Sequence, residues 1–285
     1  MSAPQNIIAL IFDFDDTLTD DSTTKLLQKY GIDTHNFWNT LVKQRVDNEW
    51  DPTLAYLDLF LENVGKGKPF GKLKNDDLKS FGASLKFYNG IPSLFGSLRK
   101  LVSEHRVSSP SIEFYIISSG IEEIIRGSSI ASQFQAIWGN RFEEKSGQIS
   151  KVKNVISFTE KTKYIFFINK GLIEENARSD QYLVNQFVAK EDRRIPFGNM
   201  IYIGDGLTDV PCFSLVQDYG GKAFGVFNPK RKDSPKKAWE QLVAPKRVST
   251  MNSPCYREKD DLGALIRVAV REICFRLDSQ SHSAV

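Results

Sequence analysis

Residues 7–19 read IIALIFDFDDTLT. The order of these letters decides the fold. The apolar run Ile7 to Phe12 is unbroken and stops abruptly at Asp13. A strand with one wet face alternates, whereas a short continuous apolar run suits a strand buried on both faces of a parallel sheet. Similar runs recur at Ile112–Ile117 (IEFYII), Met200–Ile203 (MIYI) and Ala223–Phe227 (AFGVF), with helical periodicity between them. Strands separated by helices predict an open, mostly parallel α/β sheet. Such sheets collect ligands beyond the carboxyl ends of their strands. The residues that follow each run are therefore the ones to read for chemistry.

Residues 20–88 break this alternation. Helices are expected around Thr24–Tyr30, Asn36–Lys43, Leu54–Val64 and Asp76–Phe87. Asp51-Pro52 suits a helix start, because proline in the first turn loses no needed donor. Trp38, Leu41, Trp50, Leu54, Leu57, Phe60 and Leu61 could form a small core of their own. A usual connection after a strand has about 2–6 residues. This block is far longer, so a helical domain inserted over 20–88 is expected, with the main domain formed by 1–19 and 89–277. The Thr19–Asp21 connection and Gly90 are candidate hinges. Phe142–Ile156 suggests a hairpin, and Lys161–Ile168 reads as a helix or a strand. Leu262, Ile266, Ala269 and Ile273 make a helical stripe. Residues 278–285 are expected to be a flexible tail.

Composition narrows the classes. The 285 residues are 41% hydrophobic and 26% charged, which supports a substantial core and argues against global disorder. Lys and Arg number 38 against 35 Asp and Glu, and a net charge of +3 does not by itself indicate nucleic acid or a membrane. No apolar stretch nears the roughly 20 residues that span a bilayer. The basic segment Lys230-Arg231-Lys232 and Lys236-Lys237 is interrupted by Asp233, Ser234 and Pro235, a pattern of a solvated loop. Cys212, Cys255 and Cys274 are widely spaced and form neither a disulfide framework nor a CxxC pair. A cytoplasmic protein is expected, with no nucleic-acid or membrane partner; monomer and homo-oligomer both stay open.

Four constellations carry chemistry. Asp13-Phe14-Asp15-Asp16-Thr17 places carboxylates just past the most apolar run. Asp is common in turns, but acids crowded there repel unless a cation or a shared proton offsets the cost. Ser118-Ser119-Gly120 follows IEFYII, where a hydroxyl can donate to an anion or merely cap a helix. Lys161, with Lys163 close by, can neutralise a phosphate or simply be solvated. Gly204-Asp205-Gly206-Leu207-Thr208-Asp209 follows MIYI, and its glycines permit a tight turn that points two carboxylates at one cavity. Carboxylates with a serine and a lysine suit a Mg²⁺–phosphate site. Neither GxGxxG nor GxxxxGK[ST] occurs, which removes the motif basis for a dinucleotide or P-loop reading.

In order from Asp13 to Asp209, these constellations resemble the four motifs of the haloacid dehalogenase (HAD) superfamily of phosphohydrolases. The resemblance implies a Rossmann-like core, and the helical block is similar to the cap of phosphoserine phosphatase-like members. It implies Asp13 as nucleophile forming an aspartyl-phosphate, and Asp15 as general acid and then base. It places Mg²⁺ on the Asp13 carboxylate, the Asp15 backbone carbonyl and Asp205, with Asp209 supporting the metal from behind. Ser118 and Lys161 would hold the phosphoryl oxygens. The implied function is Mg²⁺-dependent hydrolysis of a small phosphomonoester. Phosphotransfer to an alcohol and a non-catalytic phosphate-binding or scaffold role remain alternatives. Phosphoserine phosphatases carry a glutamate soon after the first motif to meet the substrate amine. Here Asp20 or Asp21 could take that place or cap the next helix, and Arg45 could meet a substrate carboxylate or be an exposed basic residue.

Overall fold

The computed structural model describes residues 5–173, 180–229 and 234–283. Its strands are β1 (Ile7–Phe12), β2 (Ser111–Ile121), β3 (Ala136–Lys145), β4 (Gln148–Asn154), β5 (Met200–Gly204), β6 (Lys222–Val226) and β7 (Thr250–Asn252). Its helices are α1 (Ser22–Lys29), α2 (Thr34–Asn36), α3 (Lys43–Asp47), α4 (Pro52–Glu62), α5 (Asn75–Gly82), α6 (Ile91–Ser103), α7 (Glu122–Gly127), α8 (Glu160–Lys170), α9 (Val210–Asp218), α10 (Ser234–Ala238) and α11 (Asp261–Ser283). A π-helical turn, Phe37–Val42, joins α2 to α3. The strands form one sheet in the order β4-β3-β2-β1-β5-β6-β7. Every pair is parallel except the β3–β4 hairpin. The fold is therefore the α/β, mostly parallel architecture that the apolar runs predict.

The run Ile7–Phe12 is central because both of its faces are covered. Successive side chains of a strand point to opposite faces. Ile8, Leu10 and Phe12 enter a core with Leu94, Phe95 and Leu98 of α6 and Ile266 and Ile273 of α11. Ala9 and Ile11 enter the opposite core with Ile165 and Ile168 of α8 and Phe213 of α9. Fully burying each large side chain contributes about 1.5–3 kcal/mol, so a polar residue is costly at the buried positions Ile8 to Phe12.

Between β1 and β2 the chain forms α1 to α5. Asp21 caps α1 by accepting from Thr24 N at 2.7 Å. Asp51 caps α4, accepting from Thr53 N and Leu54 N at 2.9 Å, with Pro52 in the first turn as its position suggests. Helix α5 stops at Gly82, short of the expected Phe87. The chain after it is extended instead: Thr19 Oγ1 donates to Lys86 O at 2.7 Å, and Thr19 bridges Phe87. The connections into and out of the helical segment are thus tied to each other.

The helical segment is also bound to the sheet domain. A Cβ at Gly82 would lie 2.0 Å from Ile124 O, and one at Gly127 would lie 1.9 Å from Lys79 O. Helices α5 and α7 therefore approach backbone to backbone through paired glycines. The Phe60 ring of α4 stacks on Phe142 of β3 at 5.5 Å. Ile149 N of β4 donates to Leu73 O at 2.8 Å. Gly90, a candidate hinge, has a φ of 90°, and a Cβ there would lie 2.4 Å from Arg257 N. Its neighbour Asn89 accepts from Tyr256 N at 2.7 Å, so this return point is pinned to the chain just before α11.

Lys161–Ile168 is helical, within α8. The short strand β7 has no signal in the sequence reading, being only three residues long. The flexible tail expected over 278–285 is a correction, because α11 runs to Ser283. Asp278 anchors that extension: it accepts from Ser108 N at 3.0 Å and Ser108 Oγ at 2.7 Å, and lies 2.9 Å from His105 Nδ1. Lys230, Arg231 and Lys232 lie outside the described residues, whereas Lys236 and Lys237 belong to α10. Among the described residues no helix is long and apolar enough to cross a membrane.

Two outcomes are expected from these contacts. Gly127→Ala forces a methyl into the Lys79 backbone and lowers stability by about 1–3 kcal/mol, read by chemical denaturation. The hydrogen bonds from His105 and Ser108 hold the Asp278 carboxyl down at about 2, below its ordinary 3.8. A depressed carboxyl contributes stability above its unfolded pKa and loses it as pH falls through the folded one. Asp278→Asn should therefore cost about 1 kcal/mol at pH 7. That deficit should close between roughly pH 4 and pH 2 in denaturation curves taken across that range.

Candidate active site

Three strand ends converge. Asp13 follows β1, and its N–H donates to Ile203 O at 2.9 Å, extending the ladder by one residue. Asp16 then takes a φ of 55°, a left-handed turn that Asp tolerates better than most residues, and sends the chain back over the strand end. Ser118 lies two residues beyond Ile116, the partner of Phe12. Strand β2 does not end there as expected but runs on to Ile121, with an irregularity between Ile117 and Ile121. Ser118–Gly120 is a bulge within the strand, and bulges re-aim side chains next to sites. Ser118 Oγ accepts from Gly120 N at 3.0 Å. A Cβ at Gly120 would lie 2.3 Å from Asp15 Oδ2, so only glycine leaves room for that carboxylate. Asp205 follows β5.

Asp209 closes the turn after β5. Its Oδ1 accepts from Lys161 Nζ at 2.7 Å and Tyr202 Oη at 2.8 Å, and its Oδ2 accepts from the N–H groups of Asp205 and Gly206 at 3.2 Å. A Cβ at Gly204 would strike this carboxylate at 2.5 Å. Lys161 is fully buried. Its Nζ also lies 3.1 Å from Asp13 Oδ1 and 3.3 Å from Thr208 Oγ1. The contact with Asp13 is an ion pair without hydrogen-bond alignment, and Asp13 Oδ1 has no hydrogen bond despite its burial. Lys163 points elsewhere and pairs with Glu160 at 2.7 Å.

The strand ends face a cavity of about 170 Å³. Asp13, Asp15, Asp16, Ser118, Ser119, Gly120, Asp205 and Thr208 form its floor, and Asp21, Thr23, Trp38 and Tyr56 come from the helical segment. Lys161 stands behind the wall, reaching the cavity through Asp13 and Thr208. Of the candidate selectors, Asp21 lines the cavity. Asp20 does not: it accepts from Tyr88 Oη at 2.9 Å and pairs with Lys25 at 2.8 Å. Arg45 is a correction. It pairs with Asp58 at 3.4 Å and Glu62 at 2.7 Å and lies over Trp50, so its charge is used among its own helices. The sequence reading missed Tyr56, whose hydroxyl donates to Ser119 O at 2.6 Å and accepts from Asn140 Nδ2 at 2.8 Å. Nothing local in its sequence marks it. Trp38, read as core, is a wall of the cavity.

The electrostatics are lopsided. Burial raises the Asp13 carboxyl to about 6; Lys161 opposes the rise and Asp209 adds to it. Burial and the charge of Asp21 raise Asp15 well above the ordinary range, against a hydrogen bond from Ser22 N at 2.7 Å. Burial, then Asp13 and Asp209, raise Asp205. Burial works against the Lys161 ammonium, but Asp13 and Asp209 outweigh it and push its pKa up. The cavity thus holds more negative charge than its one lysine offsets.

A divalent cation fits that deficit. Carboxylate oxygens of Asp13, Asp205 and Asp209 lie within 4.8 Å of one another. Asp209 is already engaged by four donors, so Asp13, whose Oδ1 meets Lys161 without a hydrogen bond, and Asp205 are the groups left to hold an ion. An all-oxygen donor set suits Mg²⁺. Mg²⁺ should therefore raise the melting temperature, by the equivalent of about 2.7 kcal/mol at a hundredfold excess over its Kd. Asp205→Asn should match or exceed the parent's stability in EDTA, through relief of repulsion, and gain little from Mg²⁺ in thermal denaturation.

No family model matches the chain. Its structure is similar to a HAD family hydrolase of Salmonella enterica serovar Typhi, with a TM-score of 0.57 at 13% identity over 93% of this chain and 72% of that one. It is also similar to a phospho-aspartyl intermediate analogue of phosphoserine phosphatase, with a TM-score of 0.53 at 12% identity over 92% and 99%. A probable phosphoserine phosphatase of Vibrio cholerae gives 0.54 at 12% identity over 98% and 68%. The chain thus shares its fold with these HAD family hydrolase and phosphoserine phosphatase structures. The chain belongs to one family with an uncharacterized protein of Borreliella burgdorferi, to which it is 32% identical over 268 residues, covering 85% of this chain and 91% of that one.

Proposed function

We propose that this chain is a Mg²⁺-dependent phosphomonoester hydrolase that works through an aspartyl-phosphate on Asp13. One observation carries the reading. Asp13 Oδ1 is buried at a strand end without a hydrogen bond, 3.1 Å from a buried ammonium, and a second carboxylate, Asp15, faces the same cavity. An exposed carboxylate is a poor nucleophile toward a dianion, and a buried one beside fixed positive charge is better placed.

In the first step an Asp13 oxygen bonds to phosphorus as the bond from phosphorus to the leaving oxygen breaks. Asp15 gives its proton to that oxygen. Burial keeps Asp15 protonated above the usual carboxyl range, which suits it to this donation. In the second step Asp15 takes a proton from water, the water oxygen bonds to phosphorus, and the bond to Asp13 breaks. Ser118 Oγ accepts from Gly120 N, which leaves its O–H free to donate to a phosphoryl oxygen. Lys161 offsets charge behind Asp13, and Asp209 fixes both Lys161 and the turn that carries Asp205. Mg²⁺, held by Asp13, Asp205 and the Asp15 carbonyl, would supply two positive charges against the phosphoryl dianion. Binding sites for drug-sized ligands measure about 300–1,000 Å³, and this cavity is smaller, which favours a small substrate.

A panel of phosphomonoesters assayed for phosphate release, with Mg²⁺ and with EDTA, tests the proposal. Release should require Mg²⁺. Asp13→Asn should reduce it by about 10³-fold or more while the variant keeps its circular dichroism spectrum. Equal turnover by variant and parent would remove Asp13 as the nucleophile.

A further inference from the structure

The cavity wall that comes from the helical segment differs from the floor. There Trp38 and Tyr56 meet with ring centroids 5.4 Å apart and planes at 53°, forming a corner. Both rings are held by their polar ends. Trp38 Nε1 donates to Thr24 Oγ1 at 2.8 Å, and the Tyr56 hydroxyl is fixed by Ser119 and Asn140. Trp38 sits in the π-helical turn Phe37–Val42, and π turns inside helices concentrate at functional sites. Asp21 stands on the same wall, brought there by its cap on α1.

The charges on this wall select against one kind of leaving group. Among the described residues no lysine or arginine lines the cavity. Lys161 stands behind it between Asp13 and Asp209, and Arg45 is spent on Asp58 and Glu62. A leaving group with a carboxylate would find no cation and would face Asp21. One with a positive charge would find Asp21 and two electron-rich ring systems, the arrangement that recognises ammonium and quaternary ammonium groups. We infer that the leaving alcohol carries a positively charged amine and no carboxylate, so that the substrate is an amino-alcohol phosphate. This inference rests on the phosphatase reading of the same site. It separates this chain's substrate from a phosphorylated amino acid, whose carboxylate has no partner here.

The test pairs each cationic phosphomonoester with a neutral one of similar shape: phosphocholine with 3,3-dimethylbutyl phosphate, and phosphoethanolamine with propyl phosphate. O-Phosphoserine supplies the carboxylate, and p-nitrophenyl phosphate reports hydrolysis independently of the head group. At least one cationic ester should exceed both its neutral partner and O-phosphoserine in kcat/KM by about tenfold or more, and which one does so distinguishes a quaternary from a primary amine. Trp38→Leu should bring the cationic-to-neutral ratio toward one, a readout that general damage to the site does not mimic. Neutral partners equal to both cationic esters, O-phosphoserine as the best substrate, or an unchanged ratio in Trp38→Leu would each overturn the inference. If p-nitrophenyl phosphate and every other ester resist hydrolysis, the phosphatase reading fails. Calorimetric binding of the same pairs in Mg²⁺ then decides the head-group preference by the same ratios.

Discussion

The buried ammonium of Lys161 is the constraint around which the site is arranged. It has no access to solvent and lies between Asp13 and Asp209. A buried ion pair is costly to assemble, and removing one partner of such a pair typically costs about 3–5 kcal/mol. The surrounding fold is accordingly specific. Helix α8 must deliver Lys161 to the end of β1. Asp209 must accept from it while also holding the N–H groups of Asp205 and Gly206. Gly204 must lack a side chain so that Asp209 can close over the strand end. One charge thus couples a helix, two strand ends and a turn.

The same arrangement explains why the floor of the cavity is both stable and incomplete. Asp209 is fully engaged, whereas Asp13 keeps a buried oxygen without a hydrogen bond. Carboxylates held close together with one lysine leave a deficit of positive charge, and their raised proton affinities are the signature of that deficit. Natural cores rarely leave such groups unmatched unless they serve a ligand.

Much of this was legible in the sequence because chemistry and fold share one signal. Ile7–Phe12 announces a strand buried on both faces, and Asp13 stands where that strand must end. MIYI followed by GDGLTD works the same way. The distinction between Lys161 and Lys163 was not legible, since it depends on which face of α8 turns inward. The hydroxyl of Ser118 was legible, but the bulge that carries it was not, because Gly120 is demanded by Asp15, a residue far away in sequence. The walls from the helical segment were the least legible. Trp38 and Tyr56 look like core aromatics until tertiary packing brings them to the cavity, and Arg45 looks available until Asp58 and Glu62 are seen beside it. The last turns of α11 read as a tail because their anchor, Ser108, comes from a distant loop.

The glycine crossing of α5 and α7 bears on traffic through the site. Two backbones in such intimate contact cannot separate without losing dispersion attraction along the whole seam. The roof over the cavity is therefore riveted along one margin. The other side is tied as well, since Ser22 N at the start of α1 donates to Asp15 Oδ1 at 2.7 Å and Tyr56 Oη of α4 donates to Ser119 O at 2.6 Å. Asp21 and Trp38 come to the cavity from this fastened segment, so the carboxylate and the ring that a ligand would meet are held in place by contacts far from them.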